Sequence, residues 1–278
     1  MLELHQAHLE ELIPAEALWS QVFGDDAAFQ RDFYALTDLS GPLVLTEDGQ
    51  VQAMLALPEV TLTFPDGWSV KGGYVYALAT HPEGRGRGYA GLLLRYACEI
   101  LRKRQADCVL TVPAQPSLFS FFAKNGFAPA FRHRRVTARP AAAPARPISP
   151  EAYDALRESL LASTTHVVQG PGQMAFQQRL CPHPGSGLYR LELAHGPGCA
   201  AVECWPGAPV VKELLCDPLD EGQGAAAAAA LCGGPAQVRL PAFGEEDGQP
   251  FGAIQWLYGA APSRWRLAPW GYLGLAFD

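Results

Sequence analysis

Tyr74-Val75-Tyr76-Ala77-Leu78-Ala79-Thr80 runs through His81-Pro82-Glu83-Gly84 into Arg85-Gly86-Arg87-Gly88-Tyr89-Ala90, and this stretch decides the fold. Its first part is a short apolar run of the kind that forms a buried strand. Beyond it, Leu92, Leu93, Tyr96, Ile100 and Leu101 recur at helical spacing, with Arg95, Glu99, Arg102 and Lys103 on the opposite face. A strand that turns through glycines into a long helix makes an anion cradle. Glycine reaches positive φ and brings bare N–H groups close to a ligand. The helix start adds unpaired N–H donors and the positive end of its dipole. A dinucleotide fingerprint fits less well, because the spacing is not Gly-x-Gly-x-x-Gly and no acidic residue ends a following strand at the required place.

Composition sets the outer bounds. The chain has 278 residues, enough for one large domain or two ordinary ones, and 49% of them are hydrophobic. No apolar run approaches the ~18 residues of a membrane span, and no secretory leader is read at Met1-Leu2-Glu3-Leu4-His5. The net charge of −7 argues against nucleic acid as a partner. Cations nevertheless gather between Arg85 and Arg104, which suits a small polyanion. Arg132, Arg134 and Arg135 read as solvent-facing residues of a strand edge. The seven cysteines include no Cys-x-x-Cys pair, so buried reduced thiols, no metal and a cytoplasmic setting are expected.

The first half reads as an α+β unit. Helices are expected over 10–23, interrupted near Pro14, and over 26–37. Strands follow at 43–46, 51–57, 60–64 and 70–79, then the long helix, a strand at 108–112, a short helix at 117–124 and a strand at 127–136. Residues 138–150 hold Pro140, Pro144, Pro147 and Pro150 without periodicity and read as a stiff linker. From 151 to 278 the rhythm repeats: helices at 151–161 and 174–180, strands at 188–194, 199–205 and 210–215, an alanine-rich helix at 225–231, and strands at 237–240 and 272–277. Where the phosphate turn would stand, this half has Asp217-Pro218-Leu219-Asp220-Glu221. Carboxylates there repel a diphosphate by ~1 kcal/mol or more per close pair.

The strand, the Arg85-x-x-Gly88-x-Ala90 turn and its helix resemble the acetyl-CoA signature of the GNAT N-acetyltransferase superfamily, including the lead-in Thr80-His81-Pro82-Glu83. Phe121-Phe122-Ala123-Lys124-Asn125-Gly126-Phe127 resembles the family's second motif. The resemblance implies a GNAT fold, a mixed and mostly antiparallel sheet flanked by helices, over residues 1–137. A degenerate GNAT-like domain over 151–278 would make the architecture similar to the tandem, enhanced-intracellular-survival type. It also implies acetyl-CoA as co-substrate and a small-molecule or peptide amine as acceptor. The rival reading is a non-catalytic acyl-CoA-binding or interaction protein.

By that resemblance Leu78, Ala79 and Thr80 offer backbone groups to the pantetheine arm, and Arg85, Gly86, Arg87, Gly88, Tyr89 and Ala90 hold the diphosphate. Phe122 stands where many members of the family place a proton-donating tyrosine, with Tyr76 and Tyr89 as other candidate hydroxyls. Glu59 and the terminal Asp278 are the candidate bases. A solvent-facing role explains the Arg87 side chain equally simply and Glu59 more simply.

Overall fold

The structure is a computed structural model describing all residues except 244–247, 260, 268–269 and 278. In chain order its elements are β1 (Leu2–Gln6), α1 (Leu9–Phe23), α2 (Ala27–Thr37), β2 (Leu43–Glu47), β3 (Gln50–Ala56), β4 (Glu59–Thr63), β5 (Ser69–Thr80), α3 (Tyr89–Lys103), β6 (Cys108–Thr111), α4 (Phe119–Lys124) and β7 (Ala128–Ala138). There follow β8 (Ala145–Pro147), α5 (Pro150–Leu160), β9 (His166–Val168), α6 (Gly170–Leu180), β10 (Gly187–Leu193), β11 (Gly196–Glu203), β12 (Val210–Leu215), α7 (Glu221–Leu231), β13 (Ala236–Ala242), β14 (Gln249–Trp256) and α8 (Ser263–Leu267). No described helix is long and apolar enough to cross a membrane.

The chain divides into two compact units. The first comprises 1–61, 70–129 and 252–262, and the second 62–69, 130–251 and 263–278. This differs from a simple boundary at residue 137, because each unit takes in a segment from the other half of the sequence. In the first unit the strands run β1-β2-β3-β5-β6-β14. Every pairing there is antiparallel except β5 with β6, whose parallel register needs the α3 crossover. Leu93, Leu94, Ala97, Cys98 and Leu101 form the buried face of α3 and pack with Val75, Val109, Phe122 and Phe127. α1 stops at Gly24, which takes φ +83° and returns its N–H to the Ser20 carbonyl. The Asp26 side chain then accepts from Phe29 N at 2.8 Å and starts α2.

In the second unit the order is β7-β13-β12-β11-β10-β8. Here β12 and β13 are the parallel pair, joined by the α7 crossover, and the other pairings are antiparallel. Ala225, Ala227, Ala228 and Ala229 are buried on α7, whose small side chains let it lie close on Val211, Leu214 and Val238. A buried Arg157–Glu213 ion pair, with the Tyr153 hydroxyl donating to Glu213 at 3.0 Å, centres the other face.

Several expectations need correction. Pro14 does not interrupt α1, because it lies exposed in the first half of the helix, where the missing hydrogen bond leaves a carbonyl that water can reach. The presumed linker contains β8, which pairs with β10 as an edge strand and needs N–H groups on one side only. No strand covers 272–277. Tyr272 bridges His166, and Gln169 Nε2 donates to the Leu273 and Leu275 carbonyls at 2.9 Å. Arg132, Arg134 and Arg135 do not simply face solvent. Arg134 pairs with Glu221, Arg132 donates to the Gly248 carbonyl at 2.8 Å, and Arg135 donates to His133. All seven cysteines are free thiols, but Cys204, Cys216 and Cys232 are only half-buried.

Candidate active site

β5 and β6 pair only from Gly72 with Cys108 to Val75 with Thr111. β5 then continues to Thr80 while β6 ends, so the two strands part. Thr111 Oγ1 donates to the Val75 carbonyl at 3.2 Å and pins the apex of the fork. On its other edge β5 bulges: Met54 faces Ala79 and Ala56 faces Tyr76, which leaves Ala77 and Leu78 together opposite Leu55. Ala77 carries the strain of this bulge at φ +49° while 7% exposed. A left-handed alanine costs roughly 1–2 kcal/mol, and such bulges re-aim backbone groups beside functional clefts.

The fork opens a cleft of about 500 Å³ lined by Val75 to Leu78 on one side and Thr111 to Gln115 on the other. Val22 and Phe23 from the end of α1, with Leu118, Phe121 and Phe122, complete its lining. A second cleft of about 560 Å³ follows the turn and shares Leu78, Arg85, Ala90 and Phe121 with the first. Ala79, Thr80, Gly84, Gly86, Gly88, Tyr89 and Gly91 line it as well. Gly84 N donates to the His81 carbonyl at 2.9 Å and His81 N to the Gln52 carbonyl at 2.8 Å, which fixes the approach to the turn. Leu92 N bonds back to Gly88 O at 3.1 Å and Arg87 N to Gly84 O at 3.4 Å. The first-turn N–H groups of Tyr89, Ala90 and Gly91 have no carbonyl one turn back in the helix.

Gly86 and Gly88 stand at φ +81° and +83°, and a Cβ on either would meet no protein atom within 4 Å. The space beside them is therefore open, and a side chain there would occupy room that an anion could take. Arg85 lines both clefts; its backbone N donates to the Pro82 carbonyl at 3.3 Å, while its guanidinium makes no hydrogen bond or ion pair with the described residues. Open N–H groups, two left-handed glycines and one unspent guanidinium fit a pyrophosphate.

Arg87 is placed differently from the expectation. Its guanidinium makes a two-pronged pair with Glu47 at 2.5 and 2.6 Å, lies 4.8 Å from the Tyr89 ring centre, and lines neither cleft. Arg87 in turn holds the Glu47 carboxyl below its ordinary value. Tyr89 is 3% exposed, and burial, with Glu47 beside it, pushes its phenol up. Phe122 lies in the fork cleft, packed edge-on against Phe121 and Phe127. Tyr76 lines the same cleft, with its ring stacked 4.9 Å from Phe33. Glu59 opens β4, is exposed and lines neither cleft. Asp278 lies outside the described residues.

Sequence reasoning missed Val22, Phe23 and the loop from Val112 to Gln115 as cleft residues. The Gly24-Asp25-Asp26 stop and start marks where α1 ends, and Pro113 marks where β6 must end, so the signals existed but named no cleft.

In the second unit the equivalent turn is filled by its own acids. Asp217 accepts from Leu219 N at 2.9 Å. Asp220 accepts from both the backbone N and Nδ1 of His195 at 2.8 Å, and Glu221 pairs with Arg134. The cavity beside it, about 250 Å³, is lined by Arg134, Cys216, Glu221 and Phe243 among others.

Residues 3–130 match the family model of the acetyltransferase (GNAT) domain. No curated protein matches the sequence. Among solved structures the chain is similar to a conserved protein from Enterococcus faecalis V583, at 13% identity and TM-score 0.72, over 92% of this chain and 73% of that one. A GCN5-related N-acetyltransferase from Anabaena variabilis gives 14% and 0.69, over 92% and 73%. Eis1 from Mycobacterium abscessus gives 15% and 0.62, over 92% and 74%. At such identities the likeness is one of fold, and its reach covers both units.

Proposed function

We propose, from the match of residues 3–130 to the acetyltransferase (GNAT) domain model, that this chain transfers an acetyl group from acetyl-CoA to a primary amine of a small-molecule or peptide acceptor. The observation that supports the proposal is the fork between β5 and β6 opening beside a turn whose two left-handed glycines have open space next to them. Coenzyme A supplies the activated acyl group as a thioester. The backbone of Gly86 to Ala90 and the Arg85 side chain hold its diphosphate, while Leu78, Ala79 and Thr80 hold the pantetheine arm through backbone groups. A backbone N–H of the bulge around Ala77 and Leu78, which line the cleft, is assigned to stabilise negative charge developing on the carbonyl oxygen. The apolar walls formed by Phe121, Phe122 and Leu118 keep water from the thioester.

Proton traffic rests on fewer groups. Phe122 offers no proton to the departing thiolate. With a thiol pKa of about 8.5 the sulfur leaves as the anion, or takes its proton from water or the Tyr76 phenol. Glu59 lines neither cleft and is assigned no direct contact with the amine. The acid-filled turn of the second unit favours a single coenzyme site per chain, and the free cysteines support a cytoplasmic setting.

Phe122 also supports a second reading, an acyl-CoA-binding protein without turnover. Calorimetry with coenzyme A, followed by thiol release from acetyl-CoA across a panel of amines, separates the two. Heat on mixing and amine-dependent thiol release are expected. Heat without release across the panel selects the second reading, and no heat removes both.

A further inference from the structure

His5, His8 and Glu11 converge at the other end of α1 from Val22 and Phe23. His5 stands on β1, where the ladder sets it opposite Val44. His8 is the N-cap of α1 and Glu11 its third residue. The short connection between strand and helix is tied down, with Ala7 N donating to the Pro42 carbonyl at 2.9 Å. Glu11 Oε2 accepts from the His8 backbone N at 2.8 Å and lies 2.9 Å from His5 Nε2. The two imidazoles lie face to face, with ring centres 4.7 Å apart. One ligand atom from each of the three side chains falls within 4.8 Å of the others.

We propose that His5, His8 and Glu11 bind a divalent transition cation, with zinc the best match. Two imidazoles and one carboxylate are a borderline donor set that suits zinc, cobalt or nickel, whereas calcium and magnesium take oxygen ligands. Zinc bonds of 2.0–2.2 Å at tetrahedral angles put ligand atoms roughly 3.3 Å apart. The His5–Glu11 pair, at 2.9 Å, opens by a few tenths of an ångström to that spacing as the ion replaces the shared proton, and the exposed His8 closes the remainder by rotating between staggered side-chain positions. His8 at the surface gives the ion an entry path and leaves the fourth position to water. The bound ion ties β1 to the first turn of α1. The expectation of no metal rested on the cysteines, and this site uses none of them.

The test is a calorimetric titration of the whole, chelator-treated chain with zinc chloride, with cobalt absorption as a second readout. One equivalent with micromolar affinity is expected, and at a hundredfold excess over Kd the thermal midpoint rises by roughly 5–10 °C. His8→Ala removes an exposed side chain and should weaken binding at least tenfold. Glu11→Gln keeps an acceptor for the helix cap but loses the charge, and should act in the same direction. No heat with the native chain overturns the site. So does undiminished binding in the His5→Ala/His8→Ala double variant, or a cobalt spectrum dominated by thiolate charge transfer.

Discussion

Gly88→Ala tests the cradle with a single methyl group. Gly88 sits at φ +83°, and the added Cβ meets nothing of the protein within 4 Å. The structural penalty is therefore conformational, roughly 1–2 kcal/mol for an L-residue in the left-handed region. That corresponds to a fall in thermal midpoint of roughly 2–8 °C for a chain of this size. The ligand penalty is larger if the reasoning holds. A methyl in that space pushes the diphosphate off two charge-assisted backbone bonds worth about 1.5–3 kcal/mol each, which weakens coenzyme A by roughly 10²–10⁴-fold. Gly207→Ala is the control. Gly207 has φ +74°, is equally free of neighbours within 4 Å, and lies in the turn between β11 and β12. The two variants should lose similar stability, and only Gly88→Ala should lose coenzyme A affinity, read by calorimetry beside melting curves. Equal affinity in the two variants would refute the cradle.

The two arginines of the turn should behave oppositely: Arg85→Ala should weaken coenzyme A about 5–10-fold and flatten its salt dependence, while Arg87→Ala, already engaged by Glu47, should change it less than about threefold. Phe122→Tyr restores a phenol in the fork cleft, and if proton delivery limits turnover kcat should rise by ~10-fold or more with KM little changed; an unchanged kcat places the limit elsewhere. Asp220 raises the His195 pKa and His195 lowers that of Asp220. The His195 contribution is fully present below about pH 6.5 and is lost as pH rises through its elevated folded value. The Asp220 contribution is present above about pH 3.9 and is lost as pH falls through its depressed value. The midpoint difference between native and His195→Ala should therefore be greatest near pH 5–6 and shrink above pH 8, and a difference independent of pH would show that the pair is not ionised.

The parts of this fold legible in sequence were those whose signals are local. The amphipathic stripe of α3, the Asp26 cap and the glycine turn each lie within a few residues and carry their own period or punctuation. β14 was not legible, because Gln249–Trp256 pairs with Cys108–Thr111 across a long stretch of intervening chain and carries no pattern of its own that points there. Ala77 was not legible either. A glycine would have announced the bulge, whereas alanine adopts positive φ only because the β3 register demands it. The Arg87 partner is set by the β2–β3 hairpin, which brings Glu47 to the turn from forty positions away.

The two crossovers show why a fold and its anion site can separate. β5-α3-β6 and β12-α7-β13 are the same topological device, a parallel pair joined by a helix that buries one face. What the device requires is an apolar helix face, met by leucines on α3 and by closely packed alanines on α7. Neither requirement touches the turn before the helix. In one unit that turn is glycine with open space, and the Arg85 guanidinium has no partner among the described residues. In the other, Asp217 caps the Leu219 N–H, Asp220 holds His195 and Glu221 holds Arg134. Those carboxylates put negative charge where an external phosphate would sit, and each is already engaged by a partner of the chain. On the proposed function, binding capacity rests on a few turn residues, while the fold rests on the helix behind them.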